Sequence, residues 1–155
     1  MDSHPFGQQF EQHLRETQQA YVERRIDDYL AGFAEHYYSV QLGTQWAEDK
    51  ARLREKIARD IARFELLSME LRILRLWYSG EVGYGHLRYH TRLRVSGAGL
   101  QTRDEAGLKT SPTLLIDRRE NILVGQHLGE GRWSIVCKIV VRAKNYYEND
   151  SEPDI

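Results

Sequence analysis

The sequence predicts an α+β domain: three N-terminal helices packed on a curved, bulged antiparallel sheet. Three observations carry this. In the first half, apolar residues recur at spacings of three and four; in the second half they alternate, as in strands with one buried face. The two patterns are segregated rather than interleaved, which points to helices and sheet as separate layers. Finally, one long strand changes the parity of its apolar residues midway, the mark of a bulge and so of a bent sheet.

The elements follow in order. Ser3 is placed to cap a first helix with Pro5 in its first turn. Phe6, Phe10, Leu14, Thr17 and Tyr21 form its stripe. After a break at Arg24-Arg25, Ile26, Tyr29, Leu30, Phe33 and Ala34 mark a shorter helix. Asp27-Asp28 at its start reads as capping charge at the positive end of the helix dipole rather than as a catalytic pair. Residues 37–42 read as a short strand. Thr44 is the expected cap of a third helix reaching about residue 63, with Leu53, Ile57 and Ile61 on its apolar side. Glu48–Arg52 and Glu55–Arg59 are expected ion pairs on its wet side, worth ~0.2–0.5 kcal/mol each.

Residues 66–79 and 82–96 read as two long strands joined at Gly80-Glu81. In the second, Leu87, Tyr89, Leu93 and Val95 share a face opposite His86, Arg88, His90, Arg92 and Arg94. In the first, Leu67, Met69, Leu71 and Ile73 are odd-numbered, but Leu74, Leu76 and Tyr78 are even, so a bulge is expected at Ile73-Leu74 with both residues facing Leu87. Residues 97–111 read as a polar loop, with strand segments near 113–117 and 121–128. The stretch QHLGEGRWSIVCKIVV (126–141) reads as strand, Gly-rich turn and strand.

The chain has 155 residues, one domain's worth, with 41% hydrophobic and 29% charged residues. Residues 1–147 are expected to form the domain and 148–155 an acidic mobile tail. The net charge of −1, from 22 basic and 23 acidic residues, gives no global attraction to nucleic acid or membrane. A single cysteine, Cys137, excludes an intrachain disulfide and a Cys-rich metal site. Neither a membrane-spanning run nor a signal-peptide pattern is present, so a cytoplasmic location is expected. His86 and His90 share a strand face but sit ~13 Å apart, too far to grip one ion through bonds of ~2 Å. No metal and no cofactor are expected. The basic stripe around them reads as a solvated face, with Glu70 among its balancing acids, and it lacks the interleaved aromatics of a single-strand nucleic-acid surface.

Two segments, YLAGFAEHYYSV (29–40) and HLGEGRWSIV (127–136), together with the element order, resemble the nuclear-transport-factor-two-like superfamily, which includes SnoaL-like cyclases, ketosteroid isomerases and a kinase association domain. The resemblance covers nearly the whole chain and implies a sheet closing over the helices as a cone-shaped pocket. It implies a protein that binds a mostly apolar small molecule, with isomerase, cyclase or dehydratase chemistry. The alternative is a non-catalytic homo-oligomeric association or ligand-binding domain. It also implies a homodimer through the outer sheet face, where Val136 and Val140 are expected. Matched residue by residue, the isomerases' general base falls at Gln41, which takes no proton. Their oxyanion-hole Tyr falls near Thr17, with Tyr21 one turn on, and the nearest acid for a later strand is Asp117. Tyr21, Tyr89 and Asp117 are therefore the catalytic candidates. If Leu128 pairs with Trp133, Ile122, Val124 and Gln126 point inward beside Ile135, Cys137 and Ile139, and His127 points out. The expected pocket lining is Thr17, Tyr21, Tyr38, Trp46, Tyr89, Thr91, Gln126 and Trp133.

Overall fold

The computed structural model describes residues 3–95, 101–104, 107–110 and 114–148. Three helices, α1 (Gly7–Val22), α2 (Ile26–Ala31) and α3 (Lys50–Arg63), lie against a six-stranded sheet among the described residues. Its strands are β1 (Phe33–Gln41), β2 (Ala47–Asp49), β3 (Phe64–Ser79), β4 (Val82–Val95), β7 (Leu114–Gly129) and β8 (Arg132–Glu148), ordered β2-β1-β8-β7-β4-β3. The sheet is mixed, not purely antiparallel: β1 runs parallel to β8. Within the expected polar loop, β5 (Gln101–Asp104) and β6 (Gly107–Thr110) pair as a separate hairpin. The expected break near residues 118–120 is absent, and β7 is continuous. Of the expected acidic tail, Glu148 ends β8 and residues 149–155 lie outside the described residues.

Helix ends depart locally from expectation. Ser3 does not cap α1; His4 closes its entry, accepting from Gly7 N–H on its carbonyl at 3.0 Å and from Phe6 N–H on Nδ1 at 3.0 Å. The break after α1 is built on Arg24, a non-glycine residue at φ 60. Arg24 N–H and Arg25 N–H satisfy the carbonyls of Tyr21 and Ala20, as in a left-handed helix stop. Helix α3 is capped by Asp49, whose Oδ1 accepts from Arg52 N–H at 2.9 Å. Thr44 instead ties the preceding turn, donating to Gln41 O and accepting from Trp46 N–H. Glu48 is not on the wet side of α3; it belongs to β2 and is buried.

The sheet bends at bulges. Pairing of β3 with β4 steps from Ile73↔Leu87 to Arg75↔His86, so Leu74 is the extra residue. It does not face Leu87; it is exposed. A second step lies between Leu66 and Ser68. Strand β8 carries the same device twice. Gly125 pairs with Ile135 and Val124 with Cys137, leaving Val136 over; Asn121 pairs with Val140 and Glu120 with Arg142, leaving Val141 over. The first of these bulges inverts the alternation expected for the hairpin. Trp133, Ile135, Lys138 and Val140 face the helices, while Cys137 and Ile139 face away. Pairing at the turn is also offset. His127, not Leu128, opposes Trp133, so His127 is buried and Leu128 and Gln126 are exposed.

The core divides into two regions along the sheet. At the hairpin end, Phe10, Tyr78 and Trp133 pack with ring centroids 4.7–6.1 Å apart, joined by His4, Phe6 and His127. Glycines admit Phe10 to the sheet surface: a Cβ on Gly125 would lie 2.4 Å from the ring, and one on Gly83 2.9 Å. Trp133 Nε1 donates to Phe6 O at 3.1 Å, so its buried N–H is satisfied. On the outer face, Glu120 is nearly buried among Arg88, Arg142 and His86. The hydrogen bond from Arg88 is the main cause holding its carboxyl down to about 2. Glu120 is thus the principal acid balancing the basic stripe; Glu70 pairs in register with His90.

Candidate functional site

Beyond the aromatic end, the layers separate around a cavity of about 320 Å³. Helix α1 contributes Leu14, Thr17, Gln18 and Tyr21, with Arg24 just beyond it; α3 contributes Leu53, Lys56, Ile57 and Asp60. The sheet contributes Tyr89, Thr91 and Leu93 from β4, Leu115, Asp117, Arg119, Asn121 and Leu123 from β7, and Ile135, Lys138 and Asn145 from β8. The odd-numbered residues of β7 therefore face inward, which puts a polar ladder of Asp117, Arg119 and Asn121 into the cavity wall. Asp117 and Arg119, two apart on one face, form a two-pronged pair: Arg119 Nε donates to Oδ2 at 3.0 Å and Nη2 to Oδ1 at 3.3 Å.

Three wall residues have a buried atom without a partner: Thr91 Oγ1, Asn121 Oδ1 and Arg24 Nη1. An unmade bond to a buried polar atom costs about 1–3 kcal/mol, so such atoms face a ligand or water where they face a cavity. Lys138 is 9% exposed and makes no hydrogen bond or ion pair among the described residues. Burial, then the charge of Lys56, pushes its amine down to about 7, against an opposing pull from Glu48. Burial raises the hydroxyls of Tyr21, Tyr29 and Tyr89, so all three are neutral donors at neutral pH. Arg24 stacks its guanidinium over the Tyr21 ring at 5.4 Å and has one buried nitrogen, Nη1, without a partner.

Of the expected lining, Thr17, Tyr21, Tyr89 and Thr91 are on the wall, as is Asp117. Four residues are elsewhere. Tyr38 is 49% exposed on the outer face, in register with Cys137. Gln126 is exposed. Trp133 is sealed in the aromatic end, and Trp46 lines a second, polar cavity of about 540 Å³ between β2, α3 and β8. Lys56 and Arg119 line both cavities. Lys138 was hidden in the sequence because a lysine between apolar neighbours reads as the solvent side of a strand. The one available signal was the parity change from Trp133 and Ile135 to Val140, the same sign that marks the bulge in β3.

His4, Glu81 and His127 gather three metal-ligating atoms within 4.8 Å. The ring tautomers oppose that use. His127 Nε2 accepts from Gly131 N–H at 3.0 Å, so Nδ1 carries the proton and donates to Glu81 Oε2 at 2.5 Å. His4 Nδ1 likewise accepts from Phe6 N–H, leaving Nε2 to donate to Glu81 Oε1 at 3.2 Å. The cluster is a hydrogen-bonded latch between the N-terminal segment and two hairpins. It holds the Glu81 carboxyl below its ordinary range, chiefly through the bond from His127.

No protein-family model matches the chain, and no curated protein matches it by sequence. Solved structures match it closely in fold. A ketosteroid isomerase-like protein from Erwinia carotovora atroseptica SCRI1043 superposes with a TM-score of 0.61 at 12% identity, over 85% of this chain and 93% of that one. An NTF-2 like protein of unknown function from Shewanella oneidensis MR-1 gives 0.59 at 12%, over 88% and 98%. A putative Ca/calmodulin-dependent kinase II association domain from Exiguobacterium sibiricum 255-15 gives 0.64 at 8%, over 91% and 95%. The chain has the nuclear-transport-factor-two-like fold, the α+β architecture shared by these proteins. No helix among the described residues is long and apolar enough to cross a membrane.

Proposed function

We propose that the protein is a pocket enzyme that binds a mostly apolar small molecule and moves a proton on it, in the manner of an isomerase, cyclase or dehydratase. The observation that carries this reading is the pair of buried, unpartnered atoms, Thr91 Oγ1 and Asn121 Oδ1, on the wall of a cavity that mixes leucine, isoleucine and aromatic side chains with polar and charged ones. A filled core would bond them internally. Apolar walls with a few convergent polar groups suit a compact ligand carrying one oxygen function. Lys138, with its amine pushed down to about 7, is the basic group of the cavity in this reading, and the neutral Tyr89 hydroxyl is a donor. Asp117, forked onto Arg119, orients the far wall. The isomerase-like neighbour is consistent with such use of the fold. The sequence resemblance puts Gln41 at or near the position of the isomerases' base, so the basic group is sought on β8 instead.

The test is thermal unfolding with a panel of polycyclic and polyketide-like compounds. A binding compound raises the unfolding temperature of the wild type, and Asn121→Leu removes that rise while leaving the unliganded protein as stable as before. A variant that unfolds several degrees earlier, with no compound shifting the wild type, overturns the reading in favour of a closed core.

The homodimer belongs to the same proposal, on a different observation. Ile122 and Val124 of β7, Cys137 and Ile139 of β8 and Tyr38 of β1 lie together on the sheet face away from the helices. That face is too apolar to leave wet, and a second copy laid across it would bury at least ~1,000 Å². Sedimentation at micromolar concentration tests this: a dimer for the wild type, and monomers for Ile139→Lys. A cytoplasmic location is part of the same reading.

A further inference from the structure

We propose that the Lys138 ε-amine is a nucleophile that condenses with an aldehyde or ketone held in the cavity, forming an imine. The inference rests on reading the cavity as a small-molecule site, and goes beyond it by naming the carbonyl class and a covalent step.

The placement of Lys138 is unusual for a lysine. Its strand position lies between Ser39 of β1 and Leu123 of β7, both buried, and its side chain lines the cavity. Lysines inside proteins are normally paired, or run their charged tips out to solvent. Lys138 has no hydrogen-bond or ion-pair partner among the described residues and is only 9% exposed. The bulge at Val136 turns it inward, so a structural role on the outer face is excluded by the same register that aims it at the cavity. Burial first, then the positive charges of Lys56 and Arg119 on the same wall, favour the neutral amine whose lone pair attacks, against the opposing pull of Glu48 and Asp117.

Two of the unpartnered wall atoms fit the intermediates of this reaction. The Thr91 hydroxyl has a proton to donate to a carbonyl oxygen. Asn121 Oδ1 can only accept, and a carbonyl offers it nothing; the hydroxyl of the carbinolamine does. The step balances without any further reagent. The nitrogen lone pair bonds to the carbonyl carbon as the π pair moves onto oxygen. The C–O bond of the carbinolamine then breaks, the oxygen leaves as water with the two amine protons, and a C=N bond remains. The imine, once protonated, draws electrons from the adjacent carbon and eases loss of its proton to water, with Lys138 then serving as the electron sink and not as the proton acceptor. That is the proton an isomerase, cyclase or lyase must remove.

The experiment is reductive trapping on the full chain at pH 7, with 2-naphthaldehyde as probe and sodium cyanoborohydride as reductant, read by intact mass and peptide mapping. The expected result is Lys138 as the one lysine that carries a naphthylmethyl adduct, formed on the order of 10²-fold faster than on an ordinary solvent-exposed lysine, because the roughly 10³-fold larger neutral fraction at that pH is partly offset by the lower nucleophilicity of a less basic amine. Lys138→Met and Lys138→Arg abolish it. Label spread over Lys50, Lys56 and Lys144, unchanged in Lys138→Met, overturns the proposal; label on the terminal amine is expected in every variant. A parallel thermal-unfolding series with 2-naphthalenemethanol, which has no carbonyl, separates the two readings. If the alcohol raises the wild-type unfolding temperature while the aldehyde is not trapped, the imine falls and the pocket stands. If the alcohol has no effect and the aldehyde is not trapped, both fall.

Discussion

The two ends of the concave sheet are built from the same strands and do opposite things. At the hairpin end, β4 and β7 offer Gly83 and Gly125, and the ring of Phe10 lies directly on them. Every polar atom of the packed rings there has a partner: Trp133 on Phe6 O, Tyr78 on Gly7 O, and His4 and His127 on Glu81 and the backbone. A few residues further along, the same two strands offer Tyr89, Thr91, Asp117, Arg119 and Asn121 instead of glycine. The helices stand off, and polar atoms are left without partners. Small residues let the layers meet and close the core. Larger polar ones hold the layers apart and leave a cavity. The filled end supplies stability that lets the other end remain hollow.

The comparison breaks most readily at the filled end. Phe10→Ala should cost ~3–5 kcal/mol in chemical denaturation. Gly125→Ala, which forces a methyl into the ring, should cost ~1–3 kcal/mol or more by overpacking. Equal losses from Tyr89→Ala at the hollow end would erase the contrast.

The next effect has the opposite sign. Lys138→Met removes an uncompensated buried amine and should stabilise the protein at pH 7. The folded-state proton affinity of Lys138, at about 7, lies below its ordinary 10.5. Between those values the unfolded chain binds more protons than the folded one, so wild-type stability rises with pH across that window and is lowest, from this source, at and below pH 7. The gap between variant and wild type should therefore shrink by roughly 1–3 kcal/mol from pH 7 to pH 9. Denaturation midpoints at those two pH values measure it. A gap that stays constant would mean that Lys138 keeps its proton in the fold.

The smallest effects sharpen the picture. Thr91→Val and Asn121→Leu delete atoms that have no internal partner, so each should change stability by no more than ~0.5–1 kcal/mol in either direction. Tyr89→Phe keeps the ring and belongs with them. A loss of several kcal/mol from any of the three would show a closed hydrogen-bond network where the structure has a cavity.

Sequence periodicity was enough for the layer order, the three helices, and the bulge in β3, because an apolar parity change in a long run has no cheaper explanation. The same signal was present in β8, yet it reads there as a two-faced strand. Lys138 supplied the polar residue that alternation assigns to solvent. Cys137 and Ile139 supplied apolar ones that alternation assigns to the core.

Thr17, Tyr21, Tyr89, Thr91 and Asp117 were within reach of pattern and resemblance, since each is polar on a stripe that must face the other layer. Lys138, Arg119 and Asn121 were not. Their inward orientation depends on which residue of β7 opposes which of β8: the unpaired Leu128 puts the odd-numbered residues of β7 inward, and the unpaired Val136 reverses β8 as far as the next bulge at Val141. The local chain determines that strands, helices and turns form. Register and bulge placement are settled by pairing between distant segments, here β1 running parallel along β8 and α3 closing over it. The chemistry of the cavity belongs to that second level, because a side chain's charge matters only once the fold decides whether it meets water or the interior.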